Sequence, residues 1–172
     1  MMAVRFAAIA LVLAWLGGCA DTYAPKGEPS FYRNLAQPGA ELDAAAAASM
    51  ISGYRANNGL PAVALDTELM RLAQAQAEIM AKRDKLDHGA GKPFVQRLKA
   101  SGYDAKTAAE NISAGYHTLA EAFSGWRDSS PHRANMLLAG ASRMGIAAVY
   151  TPDSKYKVYW SLILAEPDEN KS

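Results

Sequence analysis

The chain has 172 residues, with 18 Lys+Arg against 17 Asp+Glu and a formal net charge of +1. No basic stripe or block stands out along it, which argues against nucleic acid as a partner. Cys19 is the single cysteine, so no intrachain disulfide can form and the fold must be held by its core.

At the N-terminus, Arg5 is the only charge ahead of an apolar run from Phe6 to Leu16, and the run leads into Leu16-Gly17-Gly18-Cys19. It falls short of the roughly 20 apolar residues that a membrane-spanning helix needs. The pattern resembles a bacterial lipoprotein signal peptide, cut before Cys19 and lipidated on that thiol. An ordinary signal peptide with an incidental cysteine is the alternative. Residues 1–18 are therefore expected to be signal peptide, and the mature protein to be exported and lipid-anchored to the cell envelope. The second mature residue is Ala20 rather than the aspartate of inner-membrane retention, so the outer membrane is the expected destination if the organism has two membranes. Removing residues 1–18 leaves 172 − 18 = 154, enough for one domain.

Residues 19–40 carry Pro25, Pro29 and Pro38 with Gly27 and Gly39. They read as a lipidated tether, and residues 41–168 as the domain. A first helix is expected over 41–57, where an alanine run is joined by the apolar Leu42, Met50, Ile51 and Tyr54. A second should start at an Asp66 N-cap and reach about Arg83, with His88 just past its end. A cation favoured by the helix dipole is the ordinary role for a histidine there. A third helix is expected over 93–101, and a fourth over 118–128 with Leu119, Ala122, Phe123 and Trp126 at helical spacing. Ser130-Pro131 should open a short helix to about Leu138, with Ser130 as N-cap and His132 at the second helical position. The helix dipole would then depress the His132 pKa. Beyond Gly140, Met144–Tyr150 and Tyr156–Ala165 read as strands joined by a turn at Thr151-Pro152-Asp153-Ser154-Lys155. The whole is α+β with an antiparallel sheet.

Read in order, Tyr54 to Pro61, Asp66 to Met80, Leu86-Asp87-His88, Phe94 to Tyr103, Glu110-Asn111-Ile112, Trp126, Ser129 to Leu138, Gly145 and Tyr159-Trp160 resemble the CAP superfamily. That superfamily comprises cysteine-rich secretory proteins, antigen 5 and pathogenesis-related 1 proteins, and the resemblance is to its cysteine-poor bacterial form. It spans about residues 45–165 and implies an α–β–α sandwich with helices on both faces of a central antiparallel sheet. It also implies a cleft of two histidines and two acids, here His88, Glu110 and His132. Ser129 stands at the fourth position, where the eukaryotic pattern has glutamate. Asp128 and Glu121 are near enough in sequence to substitute.

Several readings of this cleft stay open. His88 and His132, with or without Glu110, are ligands that Zn2+ accepts, although their wide spacing gives no local metal motif. The family implies binding of a small apolar or lipid ligand, and Trp126, Tyr116, Phe123, Tyr159 and Trp160 are candidates for an apolar groove. Catalysis is the less favoured reading. Glu110 and His132 would be its acid–base residues, with Ser129 or Ser130 as nucleophile or a metal-bound water instead, but no Gly-x-Ser-x-Gly elbow supports it. A structural role, contacting an envelope protein or peptidoglycan with the cleft vestigial, is the remaining alternative. His117 matches no motif and reads as a surface residue.

Overall fold

The structure, a computed structural model, describes residues 27–168. The expected signal peptide and Cys19 lie outside the described residues. Five α-helices and four strands follow in the order α1 Ala44–Asn57, β1 Ala64–Leu65, α2 Thr67–Arg83, α3 Phe94–Ala100, β2 Ala105–Ala114, α4 Leu119–Asp128, α5 Ser130–Met136, β3 Arg143–Tyr150 and β4 Val158–Pro167.

The strands form one sheet in the order β1-β3-β4-β2. β1 runs parallel to β3, and the other pairings are antiparallel. Strand alternation divides β4 between two cores. Val158, Trp160, Leu162 and Leu164 face a cluster built with Ala47 and Ile51 of α1, Leu119, Ala122 and Trp126 of α4 and Met136 of α5. Ile163 and Ala165 face Leu69, Leu72, Ala73 and Ala77 of α2, with Phe94 and Leu98 of α3 packed alongside. Helices therefore cover both faces of the sheet, in the α–β–α arrangement that the resemblance implies.

Caps set the helix limits. Asp43 accepts from the Ala46 N–H at 2.9 Å, so α1 starts at Ala44 rather than near residue 41. The Asp66 carboxylate accepts from the Glu68 and Leu69 N–H groups, both at 2.9 Å, and fixes the start of α2 where its aspartate suggested. α4 opens with a capping box in which the Thr118 hydroxyl and the Glu121 carboxylate satisfy each other's backbone N–H. Ser129, not Ser130, is the N-cap of α5, which moves His132 to the third helical position.

β2 has no counterpart among the expected elements. Its sequence, Ala-Lys-Thr-Ala-Ala-Glu-Asn-Ile-Ser-Ala, holds only two β-branched residues, and its place in the sheet comes from pairing with β4 from Ala105 to Ala114. The strand carries Glu110-Asn111-Ile112 at the edge of the sheet.

The segment read as tether lies against the domain before residue 41. Leu35 is buried in the core, and its N–H donates to the His117 carbonyl at 2.7 Å. His117 itself is exposed.

Candidate functional site

α2 delivers His88. The helix ends at Asp84, which takes a left-handed conformation (φ 47°) and accepts from the Tyr159 hydroxyl and from the Lys155 N–H at 3.1 Å. That pins the β3–β4 turn to the point where the chain leaves α2. Burial, and then the bond to Asp84, push the Tyr159 phenol up to about 12, so it stays a donor. Gln76 of α2 then donates to the Asp87 carbonyl at 2.8 Å, and the Asp87 side chain accepts from the Gly89 N–H at 2.8 Å. His88 is therefore held between two anchored residues.

Its partner comes from β2. Glu110 and Ile163 are paired across β2 and β4, which turns the glutamate toward the α2–α3 face. The Glu110 side chain is 2% exposed, and both carboxylate oxygens are engaged. Oε2 lies 2.9 Å from Nδ1 of His88, and Oε1 accepts from Nη2 of Arg97 at 2.7 Å. With a carboxylate as acceptor, His88 Nδ1 is the donor of this bond, and in the neutral tautomer that makes it, Nε2 is the acceptor. The His88 side chain is 55% exposed.

The other wall is α5. Asn111 points from β2 toward that side, and its Nδ2 donates to the His132 carbonyl at 2.9 Å. Asn135 donates to the Glu110 carbonyl at 3.2 Å and to Asn111 Oδ1 at 2.9 Å. These two asparagines fasten α5 to the edge of β2, so their role is bracing rather than chemistry. His132 is half-buried. Burial first, and the neighbouring His88 second, lower its pKa, so it is held neutral. The direction is the one expected, and burial is its first cause.

Ser129 is half-buried between α4 and α5, and its hydroxyl makes no capping bond. Among the described residues no serine hydroxyl is hydrogen-bonded to either cleft histidine; Ser130 Oγ accepts from Arg133 at 3.2 Å instead. Neither substitute acid reaches the site. Glu121 serves its own helix cap, and Asp128 is paired with Arg127 at 2.8 Å on the surface. The aromatic candidates are largely core. Trp126, Tyr159 and Trp160 are buried, and the Trp126 and Trp160 rings meet edge to face at 6.3 Å.

The sequence profile of the Cysteine-rich secretory protein family (CAP) matches residues 48–164. The chain belongs to this family. The uncharacterized protein YkwD of Bacillus subtilis (strain 168) is 33% identical over 103 residues, which is 58% of this chain but only 40% of that protein. An outer surface protein from Borrelia burgdorferi superposes with a TM-score of 0.66 at 17% identity, covering 73% of this chain and 93% of its own. An extracellular protein containing a SCP domain from Bacillus anthracis str. Ames gives a TM-score of 0.62 at 20% identity, over 71% of this chain and 39% of that one. At such identities the likeness is one of fold.

The zinc that the CAP resemblance brings into question does not fit the donors present. Zinc sites use three or four protein ligands, and among the described residues no group of three His, Cys, Asp or Glu is gathered to hold a metal ion. Both Glu110 oxygens are already engaged, one of them by a cation, and the side chain is 2% exposed. Arg97 Nη1 is buried without an acceptor, so the pocket has donors to spare where a cation would need lone pairs.

Two arginines of this CAP domain carry more than their sequence context declared. Arg97 lies on α3, three residues after Phe94 and one before Leu98, on the helix's apolar side. Arg55 is 0% exposed on α1, four residues after the buried Ile51. Each shows the same signal, an arginine at helical spacing among core residues.

Proposed function

We propose that this CAP protein is an exported, lipid-anchored domain of the cell envelope that acts by recognition rather than turnover. Its cleft would gather a ligand against the imidazoles of His88 and His132. The observation that carries this reading is the saturation of Glu110. A carboxylate that already accepts from a guanidinium through one oxygen and from an imidazole through the other, with its side chain only 2% exposed, is poorly placed to ligate a metal or to take a proton from water. What remains accessible is the half-exposed His88 ring, beside a neutral His132. Two acceptor nitrogens suit ligands that bring hydrogen-bond donors, such as the hydroxyl and amide groups of envelope glycans and peptides.

Export is supported by the apolar leader ending at Cys19 and by the extracellular and outer-surface descriptions of the Bacillus anthracis and Borrelia burgdorferi proteins. Lipid attachment at Cys19 would hold the domain within a short tether's reach of the bilayer. Among the described residues no helix is long and apolar enough to cross a membrane.

A screen of peptide and ester substrates tests recognition against turnover. The reading expects no hydrolysis above buffer. Turnover that disappears in both Glu110→Ala and His132→Ala would replace it with a hydrolase. Fractionation tests the anchor: Cys19→Ser should move the protein from the membrane fraction to the soluble one.

A further inference from the structure

We propose that Arg97 is the resident cation of this cleft, supplying to Glu110 the positive charge that a divalent metal would otherwise bring, so that the site works without metal. This deepens the recognition reading above, because it says what orients His88, and it can fail without that reading failing.

Four observations converge on Arg97. Its Nη2 meets Glu110 Oε1 at 2.7 Å. Its Nε donates to the Lys92 carbonyl at 3.1 Å, which ties the guanidinium to the loop entering α3. The guanidinium carbon sits 5.4 Å over the Phe94 ring, a stacking position that a planar cation favours. The side chain is only 13% exposed. A cation so placed is part of the packed structure and is not a surface charge that a metal ion could displace at little cost.

The consequence is chemical. With Oε1 neutralised by Arg97, Oε2 is left as a fixed acceptor for His88 Nδ1–H, and the tautomer of His88 follows. Arg97 is thus a positioning residue, acting on the cleft through Glu110. A zinc ion brought to the same carboxylate would sit against a guanidinium, and the repulsion would oppose binding.

The test is calorimetric titration of zinc alone into the full chain near neutral pH. The wild type should show no one-to-one zinc binding. Arg97→Gln, which keeps bulk and loses charge, should gain a single site with affinity raised at least tenfold, and adding Glu110→Gln should remove the gain. Arg97→Lys keeps the charge and should remain zinc-poor. One-to-one binding by the wild type that His88→Ala abolishes would overturn the proposal, as would a folded Arg97→Gln with no gain. Should Arg97→Gln unfold, Arg97→Lys carries the test: stoichiometric zinc binding by that variant would equally overturn it. Failure of recognition would show elsewhere, in substrate turnover, and leave these zinc affinities unchanged.

Discussion

Arg55, at the last turn of α1, donates through Nη1 to the carbonyl of Met136, 81 residues later at the end of α5. The same guanidinium reaches the carbonyls of Pro61 at 2.9 Å, Leu138 at 2.9 Å and Ala141 at 2.8 Å. Its bonds all go to backbone carbonyls, and burial lowers its pKa. This clamp fixes the end of the helix that carries His132 and the chain leading into β3.

Replacing Arg55 with leucine strands those carbonyls, each buried acceptor costing about 1–3 kcal/mol when unsatisfied and the set adding less than its sum. The expected net loss is about 3–5 kcal/mol. At roughly 2–4 °C per kcal/mol for a domain of this size, thermal unfolding followed by circular dichroism should show the melting temperature fall by about 6–20 °C. A shift of only a degree or two would mean that the clamp is not structural.

The Arg97–Glu110 pair should behave as a coupled unit. Glu110→Gln alone leaves a buried guanidinium without its anion, and Arg97→Met alone leaves the reverse. The double variant removes both charges, so urea unfolding should show a coupling of about 1–3 kcal/mol, with the double variant less destabilised than the sum of the singles. Additive losses would argue against the pairing.

His132 should make stability depend on pH in one direction. Its folded pKa lies below the ordinary value of about 6.5, so between those two pH values the unfolded chain binds more protons than the folded one. Stability is full above about pH 6.5 and falls as the pH drops through that window, then levels once both states are protonated. His132→Ala should flatten this part of the profile, and proton NMR of the imidazole should place its midpoint below that of free histidine. A midpoint above it would contradict the neutral wall proposed for the cleft.

Two glycines separate packing from propensity. A Cβ on Gly145 of β3 would sit 2.1 Å from the Leu69 carbonyl carbon and 2.4 Å from the Met70 nitrogen, so alanine there forces α2 off the sheet. A loss of about 1–3 kcal/mol is expected in denaturant unfolding. Gly53 in α1 has nothing within 4 Å of the added carbon, and alanine there should stabilise by about 0.5–1 kcal/mol.

The helices were legible because their capping and apolar spacing are local, as the Asp66 cap of α2 illustrates. β2 was not. Its alanines carry no strand signal, and only the antiparallel register with β4 makes it a strand. The site divides in the same way. His88, Glu110 and His132 could be picked out as a set by the order of family motifs, although the two bonded residues stand 22 apart in the chain. That Glu110 would be closed from both sides was beyond reach, because its second partner is an arginine on a short helix, where such a residue usually lies in solvent. Arg55 hid for the same reason. A charged helical residue declares its burial only when its neighbours at three and four positions are seen to be core.

The tautomer of His88, read from long-range proton–nitrogen NMR correlations of the imidazoles at neutral pH, is the most direct test of the cleft. The expected spectrum shows a proton on Nδ1, held by Glu110. A ring carrying its proton on Nε2 would mean that Glu110 does not hold His88, and the proposed cleft would have to be abandoned.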